Sequence, residues 1–176
     1  QLFARTKTAC LATFCYGYFQ SSIVPQIQPY LVEVKHVDER LTILVMVFFA
    51  GGMVLLSSFG ARISDRIGHL RVITLLAGVG ATMVLGFVFL DSFAAISAAV
   101  FVAGATLASI SPVSLALLGL VVAPRDLARA TAMFNIFYAS GMLLGPLISG
   151  EMYVRVGGVP MFYSLAGLWT ALVAFT

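Results

Sequence analysis

SDRIGHLR, residues 64–71, is the most hydrophilic stretch inside an otherwise apolar chain. It places an acid, two arginines, a glycine and a histidine between two long uncharged runs. The surroundings decide how it is read. Of 176 residues, 61% are hydrophobic and only 10% are charged. A soluble domain carries about a quarter charged residues. A shortage this large assigns the chain to the bilayer, and the useful count is of spans.

Around 64–71 the chain holds six uncharged runs: 8–32, 41–61, 72–90, 92–124, 130–150 and 156–176. Each is long enough to cross a hydrocarbon core of about 30 Å as a helix, which takes roughly 20 residues. Lipid leaves few alternatives to the helix for such runs. Pro112 is expected to kink or tilt the fourth run, and Pro25 and Pro29 to bend or loosen the far end of the first. The sixth run stops at Thr176 with no hydrophilic tail, which reads as a cut boundary.

Alternate connections must lie on one side of the membrane. One set, the start included, carries Arg5, Lys7, Arg62, Arg66, Arg71, Arg125 and Arg129. The other carries Lys35, Arg40 and Arg155 against Glu33, Asp38, Glu39, Asp91 and Glu151. The positive-inside rule puts the first set, both termini of the segment and SDRIGHLR in the cytoplasm, with the plasma (inner) membrane as the expected location.

The chain also repeats faintly at half its length. Pro25 and Pro112 fall in the second halves of runs one and four. FGARISDRIG (59–68) and SGEMYVRVG (149–157) each hold a glycine, an arginine and a second glycine two residues on. Three spans followed by three similar ones enter from opposite sides, as in the inverted repeats of secondary transporters.

ARISDRIGHLR resembles the cytoplasmic signature of the major facilitator superfamily, G-x-L-A/S-D-R-x-G-R/K-R/K, in sequence and in its place between spans two and three. Ser64, Asp65, Arg66 and Gly68 match. Ile63 stands for leucine and Ala61 for glycine. His69 and Leu70 replace two basic residues, with Arg71 one place later. GMLLGPLISG (141–150) resembles the fifth-helix pattern G-x-x-x-G-P-x-x-G-G through Gly141, Gly145, Pro146 and Gly150, with Ser149 for a glycine. Small residues four apart let helix backbones approach closely. The resemblance covers all six spans. It implies an all-α fold, one 3+3 inverted-repeat half of a twelve-helix carrier. The fourth span lacks the arginine usual in the first half, and the stretch from Pro112 to Pro146 looks like the tenth-to-eleventh helix region. The resemblance is therefore to the C-terminal half.

The resemblance implies alternating access by a secondary active transporter of a small solute. Asp65, Arg66, Gly68 and Arg71 would form a conformational latch, because an acid at one helix end can hold the free N–H groups of another only while the two are close. It also implies a central cavity lined by the first, second, fourth and fifth helices of each half. The polar residues there are Tyr16, Gln20, Ser22 and Gln26 on span one, Asn135 and Tyr138 on span five, and Ser109, Ser111 and Ser114 on span four. Helix–helix hydrogen bonding competes with solute binding for each of them, most of all for the serines. No acid, base or histidine lies mid-span, so a proton-coupled carrier would keep its titrating group elsewhere. Glu151 is the nearest candidate.

Other functions fare worse. YASG (138–141) is a poor copy of the G-x-S-G motif of intramembrane serine proteases, and His36 and His69 lie in loops on opposite sides, out of reach of Ser140. No metal, haem or phosphate-loop spacing occurs. Cys10 and Cys15 sit on different helix faces, which does not suit a mutual disulfide. The expectations are no enzyme, no cofactor, no metal and no nucleic acid. The expected partners are the lipid bilayer, a small-molecule substrate and a second six-helix half, from the same natural chain or a second copy. A non-transporting membrane scaffold or assembly protein with this fold is the alternative. Tyr163 and Trp169 on the last span are expected to face lipid or an interface.

Overall fold

In a computed structural model, the backbone of residues 2–176 and the side chains of 6–55, 60 and 62–176 are described. Arg5 and Ala61, read above from sequence, lie outside the described side chains. Helix dominates: α1 (Leu2–Glu33), α2 (Glu39–Ile67), α3 (His69–Phe89), α4 (Phe93–Val121), a 3-10 turn Pro124–Asp126, α5 (Leu127–Val156) and α6 (Gly158–Phe175). No strand is present among the described residues. α3, α4, α5 with its preceding turn, and α6 are each long and apolar enough to cross a membrane.

The helices overrun the uncharged runs where the membrane surface permits. α2 continues past residue 61 to Ile67, so the opening motif is the last turn of a helix and a tight joint rather than a loop. Arginines there keep their heads in water while their stems lie along the helix. α1 stays helical through Pro25 and Pro29 to Glu33, so these prolines do not end it.

The packing order shows the inverted repeat. α1 packs chiefly on α5 and α2 on α4, while α3 lies against α4 and α6. Each three-helix unit thus packs mainly on the other unit instead of closing on itself. The two main crossings use the same device. At α1–α5, a Cβ on Gly17 would stand 2.5 Å from the Tyr138 carbonyl, and one on Gly141 would collide with the Phe14 carbonyl. At α2–α4, a Cβ on Gly104 would stand 2.5 Å from the Phe49 carbonyl, and one on Gly52 would collide with that of Phe101. In both crossings each glycine meets the carbonyl three residues before the opposing glycine. Backbones this close gain dispersion contacts and Cα–H···O bonds, which drive helix association in lipid. Gly68 (φ 99°) and Gly157 (φ 98°), half a chain apart, occupy corresponding joints in a conformation that disfavours any Cβ.

Behind the crossings lies an aromatic core in which Tyr30, Phe87 and Phe162 stand 4.5–5.2 Å apart by ring centroids. Trp169 belongs to it, which corrects the expectation of a lipid-facing residue. It is 0% exposed and sits edge-on to Phe19 at 5.8 Å. When every face of a span is apolar, the pattern carries no signal for which face turns inward. Tyr163 is exposed, as expected.

Candidate functional site: a four-helix groove and two polar ends

α1, α2, α4 and α5 leave an open groove of about 610 Å³ on one side of the bundle. Tyr16 reaches it from α1, Met53 and Val54 from α2, Ala108, Ser111, Pro112 and Leu115 from α4, and Phe134, Asn135 and Tyr138 from α5. None of these residues is charged. The Tyr16 and Tyr138 rings stack at 6.0 Å with 17° between planes. The Tyr138 hydroxyl donates to Gln20 Oε1 at 3.0 Å, which orients the phenol and uses one face of the amide. Pro112 has no N–H, so the Ala108 carbonyl lacks its helical donor at the groove wall. Among the described residues, no hydrogen bond holds the Ser111 hydroxyl or the exposed Asn135 amide. The groove therefore offers uncharged donors and acceptors beside aromatic and aliphatic surface.

The sequence candidates separate in space. Tyr16, Asn135 and Tyr138 meet at the groove, with Gln20 tied to Tyr138. Gln26 lies farther along the α1–α5 seam, its amide nitrogen 3.5 Å from where a Cβ on Gly150 would stand. Ser22 is buried against Gly145 in the same seam. Of the α4 serines, Ser111 lines the groove, Ser109 donates to its own helix at the Ala105 carbonyl (2.7 Å), and Ser114 is fully buried. Ser140 likewise donates to the Ile136 carbonyl at 2.8 Å. Gly141 and Gly145 lie in the α1–α5 contact and Pro146 is exposed beside them.

Sequence reading missed Gly17, Gly52 and Gly104. Their signal was present: each half carries a glycine at the matching place in its first and second helix. It becomes visible only when the halves are aligned as repeats.

At the end of the bundle that holds SDRIGHLR, Gly68 serves both helices. Its N–H donates to the Ser64 carbonyl at 3.0 Å, and its carbonyl accepts from Val72 N–H at 3.1 Å. Asp65 stands 3.6 Å from His69 Nε2 across this joint, with its side chain 74% exposed. Most of the carboxylate is thus open to a further donor. Arg66 and Arg71 are exposed. Arg66 lies in the last turn of α2, where a cation suits the helix dipole, whereas Arg71 lies on the first turn of α3. Lys7 sits over the Phe175 ring at 5.3 Å, and the Thr74 and Thr176 hydroxyls meet at 2.8 Å.

The opposite end is tied more firmly. Lys35, its side chain only 7% exposed, donates to the Val88 carbonyl at 2.7 Å and to Asp91 Oδ1 at 2.9 Å. It caps the C-terminal end of α3 from the α1–α2 loop. The Tyr153 hydroxyl donates to Glu33 Oε2 at 2.8 Å, joining α5 to α1. Glu151, the acid considered for proton coupling, is exposed and paired with Arg155. No group of metal-binding side chains occurs among the described residues.

The sequence matches the Major Facilitator Superfamily over residues 9–176. No curated protein matches it. Among solved structures, the fold is similar to the in meso crystal structure of the POT family transporter PepTSo, with a TM-score of 0.85 and 16% sequence identity. The match covers 98% of this chain and 36% of that one, so the chain spans about a third of its structural relative.

Proposed function

This chain belongs to the Major Facilitator Superfamily, and on that premise we propose that it is one six-helix half, the C-terminal one, of a secondary active transporter. All six helices cross the membrane. α1 and α2, with 32 and 29 residues, are about 48 and 44 Å long, more than a core of about 30 Å requires. Both ends of the segment and the α2–α3 joint face the cytoplasm of a plasma (inner) membrane, in accord with the basic residues gathered there.

The observation that carries this reading is the groove. Four helices, two from each repeat, place polar groups on a surface with an open side. An open polar groove in lipid demands a cover, because unsatisfied polar groups in hydrocarbon are costly. A second six-helix half supplies that cover and encloses the groove as the path of a small solute. Tyr16, Gln20, Asn135 and Tyr138 bind the solute from this side, with Gln26 near one end of the path. Asp65, Arg66, Gly68 and Arg71 form the latch, the exposed Asp65 carboxylate accepting from the other half when the cytoplasmic side is closed. The glycine crossings let the helices on either side of the path tilt as units.

Asn135→Cys in the full-length protein tests the reading. In sealed proteoliposomes, a membrane-impermeant maleimide should label this cysteine from either face, at rates that a transported solute changes in opposite directions. Cys10 and Cys15 of this segment are buried, and any cysteine elsewhere in the protein is replaced by serine beforehand. Labelling from one face only, whatever solute is present, would remove alternating access and leave a scaffold.

A further inference from the structure

The seam between α3 and α6 lies away from the solute groove, to which neither helix contributes a lining residue. A second open groove of about 470 Å³ runs along it, lined by Thr74, Gly78, Val79 and Thr82 of α3 and by Val173 of α6, among others. Its polar groups are already satisfied. Thr74 donates to the Leu70 carbonyl and Thr82 to the Gly78 carbonyl, at 3.0 and 2.9 Å. What they turn to the groove is methyl surface. Gly78 leaves open space in the groove, since a Cβ there would meet nothing within 4 Å.

α3 is long and apolar enough to cross a bilayer, and its opposite face is buried against α4 and the core. The groove therefore opens to hydrocarbon. Arg71 stands at its membrane-surface end, exposed, on the same stripe as Thr74, Gly78 and Thr82. From Arg71 to Thr82 the helix rises about 16 Å. That is close to the depth of one leaflet, half of a core of about 30 Å. Around this end stand Lys7, over the Phe175 ring, and Arg62, Arg66 and Arg71, against Asp65, which already faces His69. Acyl chains fill any groove open to hydrocarbon, so the open question is which headgroup comes with the chain.

We infer that the α3–α6 groove is a site for one anionic phospholipid, its acyl chain lying along the groove past Gly78 and its phosphate on the Arg71 guanidinium. Length, apolar lining and a cation on the groove's own stripe at its surface end select such a lipid together. A guanidinium pairs with phosphate oxygens in a bidentate manner, and an anionic headgroup suits a net positive surround better than a zwitterionic one. This inference shares Arg71 with the proposed latch but concerns the lipid-facing side, and lipid retention is read without reference to the solute path.

Native mass spectrometry of the full-length protein in mild detergent, titrated with phosphatidylglycerol or phosphatidylcholine of matched chains, tests it. Wild type should retain one phosphatidylglycerol several-fold more than one phosphatidylcholine. Arg71→Gln should abolish the preference. Gly78→Leu puts a side chain into the groove while keeping Arg71, and should lower phosphatidylglycerol retention several-fold. Gly86→Leu, at another α3 glycine with open space around it but outside the groove, should behave as wild type. Equal retention of the two lipids by wild type would overturn the site. So would wild-type retention by Gly78→Leu, which would leave only diffuse attraction to a basic surface.

Discussion

Gly141 lies so close to the Phe14 carbonyl that no side chain fits between α5 and α1. The Gly52–Phe101 contact repeats this relationship between α2 and α4. Gly141→Ala should therefore destabilise the protein by about 1–3 kcal/mol, the range for overpacking a tight interior, and Gly52→Ala should do likewise. Thermal unfolding in detergent measures the effect. Gly119 and Gly167, whose Cβ would meet nothing within 4 Å, are the matched controls and should tolerate alanine. If all four variants unfold alike, the crossings do not depend on their glycines.

Tyr138→Phe removes the hydroxyl that donates to Gln20 and leaves the ring stacked on Tyr16. Hydrogen bonds between helices in lipid average about 0.6 kcal/mol, so the loss of stability should be small. Solute affinity should fall more, because Gln20 loses its orientation. Unfolding midpoints and uptake into proteoliposomes, compared side by side, separate the two effects. A large drop in stability with unchanged uptake would make Tyr138 a packing residue.

The bundle was legible in the sequence because lipid forces uncharged runs of about 20 residues into helices. Asp65, Arg66 and Gly68 were legible because charge stands out in an apolar chain. What stayed hidden was rotation about each helix axis. In water, polar residues mark the outer face. In lipid the outer face is as apolar as the core, and so Trp169 was misplaced while Tyr16 and Tyr138, marked by their hydroxyls, were singled out. Gly17, Gly52 and Gly104 were hidden for a second reason. A glycine in an apolar run looks like filler until the partner helix is known.

Lys35 offers a test of the end opposite the SDRIGHLR joint. Its ammonium bonds both the Val88 carbonyl and Asp91, and its side chain is nearly enclosed. Lys35→Met keeps most of the volume and removes the donors. It should cost about 1–3 kcal/mol, as for a buried acceptor left without a partner. Asp91→Asn should cost less, because Asp91 is 90% exposed and water replaces its partner. Unfolding midpoints of the two variants give the order, and the reverse order would mean that the ion pair, not the cap on α3, holds this end.

Asp65 presents a mostly exposed carboxylate beside a joint that allows no slack, since Gly68 ends one helix and starts the next. If that carboxylate holds helix N–H groups of the covering half in one state only, its charge biases the balance of states. Asp65→Asn keeps the shape and removes the charge. A hydrogen bond to a charged group contributes about 1.5–3 kcal/mol, so the ratio of cytoplasm-open to cytoplasm-closed protein should rise about tenfold or more. Labelling of a cysteine at position 135 from the cytoplasmic face reads this ratio directly. Asp65→Glu should restore part of it, because the charge returns on a longer arm. An unchanged labelling rate in Asp65→Asn, with uptake intact, would leave Asp65 as a solvated surface acid.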